Sequence, residues 1–297
     1  MDQLLLSVFY PHNQRCLLVK SGILPLLDQC KFRNFSYFFS LYKGQNVTMY
    51  LHLDQSDKAV RLIKDHFYTF FETYKAKQPE VRFPLNRLFM NFPYNTLHFW
   101  DKNPFQSGGM YSVHKNLDYH TSLSVFCLKK LASEQNWHDS LTFRIFLEIL
   151  TILQSYIYRK YGIHITPVFD QLTEGLKNRA GDKANLVDSF FEQGQALYRE
   201  QPSEIDRYMN EVNKQNRMPN RMIDGFVSDW LHIIEKKKRP TSSEQTTKEI
   251  QDFVREIILD VVHKIDLSHK GLIQAIAVVS EAGTQVNITA ENGDTIA

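Results

Sequence analysis

The chain carries almost no net charge. Its 35 basic and 33 acidic residues leave +2 over 297 residues. A field that weak offers no electrostatic case for nucleic acid or an anionic membrane, so direct binding of either is not expected. Long hydrophobic runs are missing too: charges break the apolar stretches before the ~18 residues of a membrane span. The opening MDQLLLSVFYPHNQR has no basic region and no small-residue cleavage site, which points to a cytoplasmic location. Cysteine is scarce. Cys16, Cys30 and Cys127 show no C-x-x-C spacing, and an odd count without a secretion signal reads as free thiols. There is no P-loop, dinucleotide fingerprint, nucleophile elbow or zinc motif. No zinc site is therefore expected.

What the chain has is apolar and aromatic material, 43% and 13% of its residues, enough for a well-packed core. LLLSVFYP (4–11) reads as a strand that Pro11 stops. Residues 15–30 read as a helix burying Leu17, Leu18, Ile23, Leu24 and Leu27. SYFFSLY and NVTMYLHL form a hairpin about Lys43-Gly44-Gln45-Asn46, where Gly44 and Asn46 tolerate positive φ. Asp57 is placed to cap a helix over 58–76, with Val60, Ile63, Phe67, Phe70, Phe71 and Tyr74 at helical spacing. TLHFW (96–100) is a further strand. The first hundred residues thus read β-α-β-β-α-β, a sheet with helices on one face.

From about residue 110 the pattern turns helical, with candidates at 111–132, 139–162, 183–200, 203–214, 221–236 and 246–265. The last carries a continuous stripe of Ile250, Phe253, Val254, Ile257, Ile258, Val261, Val262 and Ile265. Breaks are expected at Pro167, at RAGDKAN (179–185) and at EKKKRPTSSEQTT (235–247), the last a mobile loop. Residues 280–297 are polar and small and read as a disordered tail. The expected class is α+β: one unit over 1–279, with a mixed β/α part (1–105) packed with a mainly helical part (106–279).

Few residues stand out as chemistry. His114 and Asp118 are four apart on a helix, a spacing that suits a metal but more often marks surface neighbours. His263 lies roughly 200° from the centre of the Ile/Val stripe at ~100° per residue, so it faces solvent or a cleft. Thr48, Tyr50 and His52 share one face of their strand because the side-chain period is two. That face is either the wet side of an amphipathic strand or the floor of a polar site.

The order of these features resembles the thiopeptide-type bacteriocin biosynthesis domain, the glutamate-eliminating part of class I lantibiotic dehydratases, which also occurs free-standing. SVFYPHNQRCLLVKSGILPLL and YFFSLYKGQNVTMYLHL stand where that family has its first strand, helix and a hairpin of the form FFIRY…H-L-R-L-R-F. SGG (107–109) followed by LDYHTS (117–122) stands at its YGG loop and next helix. DVVHKIDLSHKG puts His263 at the His of its closing H-M-x-x-N-R. The likeness spans about residues 1–271.

The resemblance implies an α+β protein that expels glutamate from glutamylated Ser or Thr of a precursor peptide, leaving a dehydroamino acid, without a cofactor. Its implied partners are that peptide and a separate glutamyl-tRNA-dependent dehydratase subunit. The residue types fit: a base must take a Cα proton, and cations must hold carboxylates and offset an enolate. This sequence departs from the pattern at the cations. Leu41 replaces the Arg of FFIRY, Thr48 and Tyr50 replace both arginines of the strand, and Leu267 and Ser268 replace the closing Asn-Arg. His263, Tyr50 and His52 are then the implied acid/base set, with Thr48, Lys43 and Arg33 left to bind substrate. The loss of guanidinium groups keeps open a second reading, a non-catalytic subunit that binds the precursor peptide or the glutamylating partner.

Overall fold

Alternation along the strands decides how the sheet is buried. The computed structural model describes residues 2–30, 32, 34–53, 56–78, 91–101, 104, 116–133, 139–217, 225–237 and 247–293. Four strands, β1 (Asp2–Phe9), β2 (Asn34–Ser40), β3 (Asn46–Leu53) and β4 (Thr96–Phe99), form one sheet in the order β2-β3-β1-β4. Every neighbouring pair is antiparallel. Between β1 and β2 run α1 (Arg15–Leu17), a π-helical turn over Leu18–Ile23 and α2 (Leu24–Gln29). Between β3 and β4 runs α3 (Ser56–Thr73). This is the expected β-α-β-β-α-β order, a split β-α-β arrangement.

One face of the sheet presents Leu6, Val8, Phe35, Tyr37, Phe39, Val47, Met49 and Leu51. They pack against Leu18, Val19, Ile23 and Leu26 of the first crossover and Ile63, Phe67, Phe70 and Phe71 of α3. Each large side chain buried this way contributes about 1.5–3 kcal/mol. Helix α4 (Leu117–Ser133) flanks the outer edge of β2, where Thr121 Oγ1 accepts a 3.0 Å bond from Phe35 N–H.

The chain divides into two compact units, neither of them a continuous segment. The first is Met1–Trp137 with His263–Asp266, and the second is His138–Val262 with Leu267–Ala297. The α4 helix thus belongs with the sheet, although its sequence reads as the start of the helical part.

The regular elements among the described residues of the second unit are helices: α5 (Asp139–Tyr161), α6 (Thr166–Ala180), α7 (Ala184–Glu200), α8 (Pro202–Arg217), α9 (Gly225–Lys236), α10 (Thr247–Ile265), whose last three residues belong to the first unit, and α11 (His269–Gly293). The α10 stripe is buried as its periodicity predicts. Two helices depart from the sequence reading. Pro167 is not a break: it occupies the first turn of α6, where a missing N–H costs nothing. And α11 runs through most of the stretch whose composition suggests a tail. The expected 235–247 loop coincides with the interval between α9 and α10, and residues 238–246 lie outside the described ones. Helix α5 is long and apolar enough to cross a membrane, but 61% of its most apolar window is buried, as in a core helix.

Candidate functional site

The sheet's second face carries Leu5, Ser7, Phe38, Asn46, Thr48, Tyr50, His52, His98 and Trp100, set by register alone. It is not a wet face. Thr48 and Ser7 are fully buried and Tyr50 is 2% exposed. The hydroxyls are satisfied by one another. Trp100 Nε1–H donates to Ser7 Oγ at 2.8 Å, Ser7 and Thr48 bond at 2.7 Å, and Thr48 donates to Asn46 Oδ1 at 2.8 Å. Because Asn46 Oδ1 only accepts, Thr48 must be the donor there, which leaves Ser7 donating to Thr48. Asn46 Nδ2 closes the chain on the carbonyls of Tyr42 (2.9 Å) and Gly44 (2.8 Å).

The same bonds shape the hairpin turn. Positive φ falls on Lys43 (59°) and Gly44 (117°), while Asn46 serves through its side chain instead. Phe92 N–H donates to Lys43 O at 2.7 Å, and Gln45 Oε1 accepts from His12 N–H and Tyr94 OH, both at 2.9 Å. Lys43 therefore stands at a pinned tip beyond the far end of β3 from His52, and the strand from Asn46 to His52 alone spans about 20 Å at ~3.3 Å per residue. Arg33 lies outside the described residues, as does His114.

Tyr50 and His52 sit together at the other end. Tyr50 lies between Leu5 and Ser36 in the register, with the Phe38 ring 6.1 Å from its own. His52, half-buried, lies between Gln3 and Asn34, and Asn34 reaches Asp118 Oδ1 of α4 at 3.2 Å. His263, also half-buried, belongs to the same compact unit as these strands. The structure thus brings His263, Tyr50 and His52 into one unit, commits Thr48 to a structural network, and sets Lys43 apart.

Sequence reading misses the cation beside this face. Lys264 is 1% exposed, and its Nζ donates to Ser36 Oγ at 2.6 Å and to Tyr37 O. The signal was there: Lys264 follows Ile257 by seven residues, so a charge sits on an apolar stripe. His12 and Cys127 are among the groups shifted by their surroundings. Burial lowers the His12 imidazole, against the raising pull of Asp266. Burial pushes the Cys127 thiol up to about 12, although Lys264 nearby opposes this. Among the described residues no His, Cys, Asp or Glu group is arranged to hold a metal ion.

No family model and no curated protein matches the sequence. Solved structures do match. The pyridine synthase TbtD from thiomuracin biosynthesis superimposes with a TM-score of 0.72 at 12% identity, over 96% of this chain and 99% of its own. TsrL gives 0.63 at 10% identity, over 96% and 95%. The chain shares the fold of these two structures. The tRNA-dependent lantibiotic dehydratase MibB from Microbispora sp. 107891 carries it as part of a larger chain: the match covers 98% of this chain and 28% of MibB, with a TM-score of 0.51 and 7% identity. The shared backbone is thus built here from a largely different set of side chains.

Proposed function

We propose that this protein modifies a precursor peptide in the biosynthesis of a lantibiotic- or thiopeptide-like product, acting in the cytoplasm. The observation that carries the reading is the end-to-end match to TbtD, 99% of whose length is covered. The finer reaction is glutamate elimination. In that step His263 takes the Cα proton of a glutamylated Ser or Thr, the C–H pair forms the Cα=Cβ bond, and the Cβ–O bond breaks to release glutamate as a carboxylate. Tyr50 and His52 complete the acid/base set, and no cofactor is needed. A glutamyl-tRNA-dependent dehydratase subunit would supply the substrate.

A second reading is favoured by the name of the matched protein: formation of a pyridine ring on such a peptide. Mass spectrometry separates the two. A glutamylated peptide incubated with the protein is expected to lose glutamate and gain the dehydro residue, and His263→Ala is expected to abolish this. A peptide already dehydrated, acquiring pyridine absorbance instead, would establish ring formation. Both peptides bound but unchanged would sink the enzyme readings and leave a docking subunit.

A further inference from the structure

We infer that Lys264 is a positioning residue for His263, fastening the end of α10 to strand β2. The inference rests on the reading that His263 acts at the Tyr50–His52 face. Its geometric basis is separate.

Lys264 is held at both its ends. Its Nζ donates to Ser36 Oγ and Tyr37 O, and its own carbonyl accepts from Tyr37 OH at 2.7 Å. The Lys264 Nζ also lies 5.1 Å from the Tyr37 ring centroid. Lysine and tyrosine thus form a reciprocal clasp. Asp266 secures the next turn. It sits at φ 55°, a conformation that costs a non-glycine residue energy, and Arg15 Nη1 holds its Oδ2 at 2.5 Å. The three residues after His263 are therefore tied to β2 through Lys264 and to α1 through Asp266.

The stripe on α10 does not call for a lysine. A methionine would fill the same space without desolvating an amine. What the amine adds is direction. Ser36 is the register partner of Tyr50, so one lysine side chain links the residue after His263 to the neighbour of Tyr50. A purely structural role is the alternative: Nζ caps the outward carbonyl of an edge strand, as Thr121 caps the Phe35 N–H.

The test compares Lys264→Met, Lys264→Arg and Tyr37→Phe with wild type in the full chain. Amide exchange over 263–267 is expected to rise roughly tenfold in the Met and Phe variants while β1 and β3 stay protected. The His263 ring resonances are expected to shift. On whichever peptide wild type turns over, kcat is expected to fall by up to about a hundredfold with KM little changed, and the arginine variant to recover part of it. If both variants leave the 263–267 exchange and His263 resonances as in wild type, the inference is overturned. Should Lys264→Met fail to fold, Tyr37→Phe decides, since it removes one hydroxyl and keeps the ring. Should wild type turn over no peptide, the function reading fails while the exchange and resonance measurements still decide the clasp.

Discussion

Thr48 shows how a polar side chain on a strand can be dry and fully hydrogen-bonded by its neighbours. Its hydroxyl is the middle of a relay from Trp100 to Asn46, fully buried. Thr48→Val keeps the shape and strands the groups on either side. It is expected to cost about 1–3 kcal/mol in a denaturant titration, with Ser7→Ala costing a similar amount and the pair less than the sum. Strand periodicity predicts correctly which residues share a face. It cannot tell that the face is dry, because Ser7 and Trp100 come from other strands. His12 offers a pH test. Burial lowers its pKa below 6.5, so the unfolded chain binds the proton first. Its contribution is therefore complete above ~6.5 and lost as pH falls below it, partly offset by Asp266 and modulated by Arg15. Melting temperature followed downward from neutral pH should fall less steeply in His12→Gln than in wild type.

Among the elements, α7 and α11 illustrate what composition hides. A Cβ built on Gly194 would lie 2.6 Å from Gln274 O and 2.7 Å from Ala277 Cβ, so the two helices cross with no room for a methyl group. The approach is made at Gln274 and Ala277, just before the stretch whose composition reads as a tail. Alanine favours helix over glycine by ~1 kcal/mol, yet Gly194→Ala is expected to destabilise, because overpacking costs about 1–3 kcal/mol. A raised melting temperature in that variant would contradict the crossing. The α10 helix was legible because its stripe is long and unbroken, and α6 was obscured because Pro167 reads as a stop until its place in a first turn is known. Lys264 was visible as a charge on that stripe. Its partners Ser36 and Tyr37, more than 220 positions earlier, were not.

For the whole molecule, the sheet and its flanking helices were readable from local pattern, whereas the partition of the chain was not. The sheet unit spans Met1–Trp137 and then takes back His263–Asp266. Local periodicity carries no trace of that return, since it depends on partners distant in sequence. The return also sets an order of events during synthesis. A ribosome adding ~5–20 residues per second needs on the order of ten seconds to go from Trp137 to Asp266. Until Lys264 has been made, the Tyr37 carbonyl and hydroxyl are left to water, so this edge of β2 is completed only by the C-terminal part of the chain.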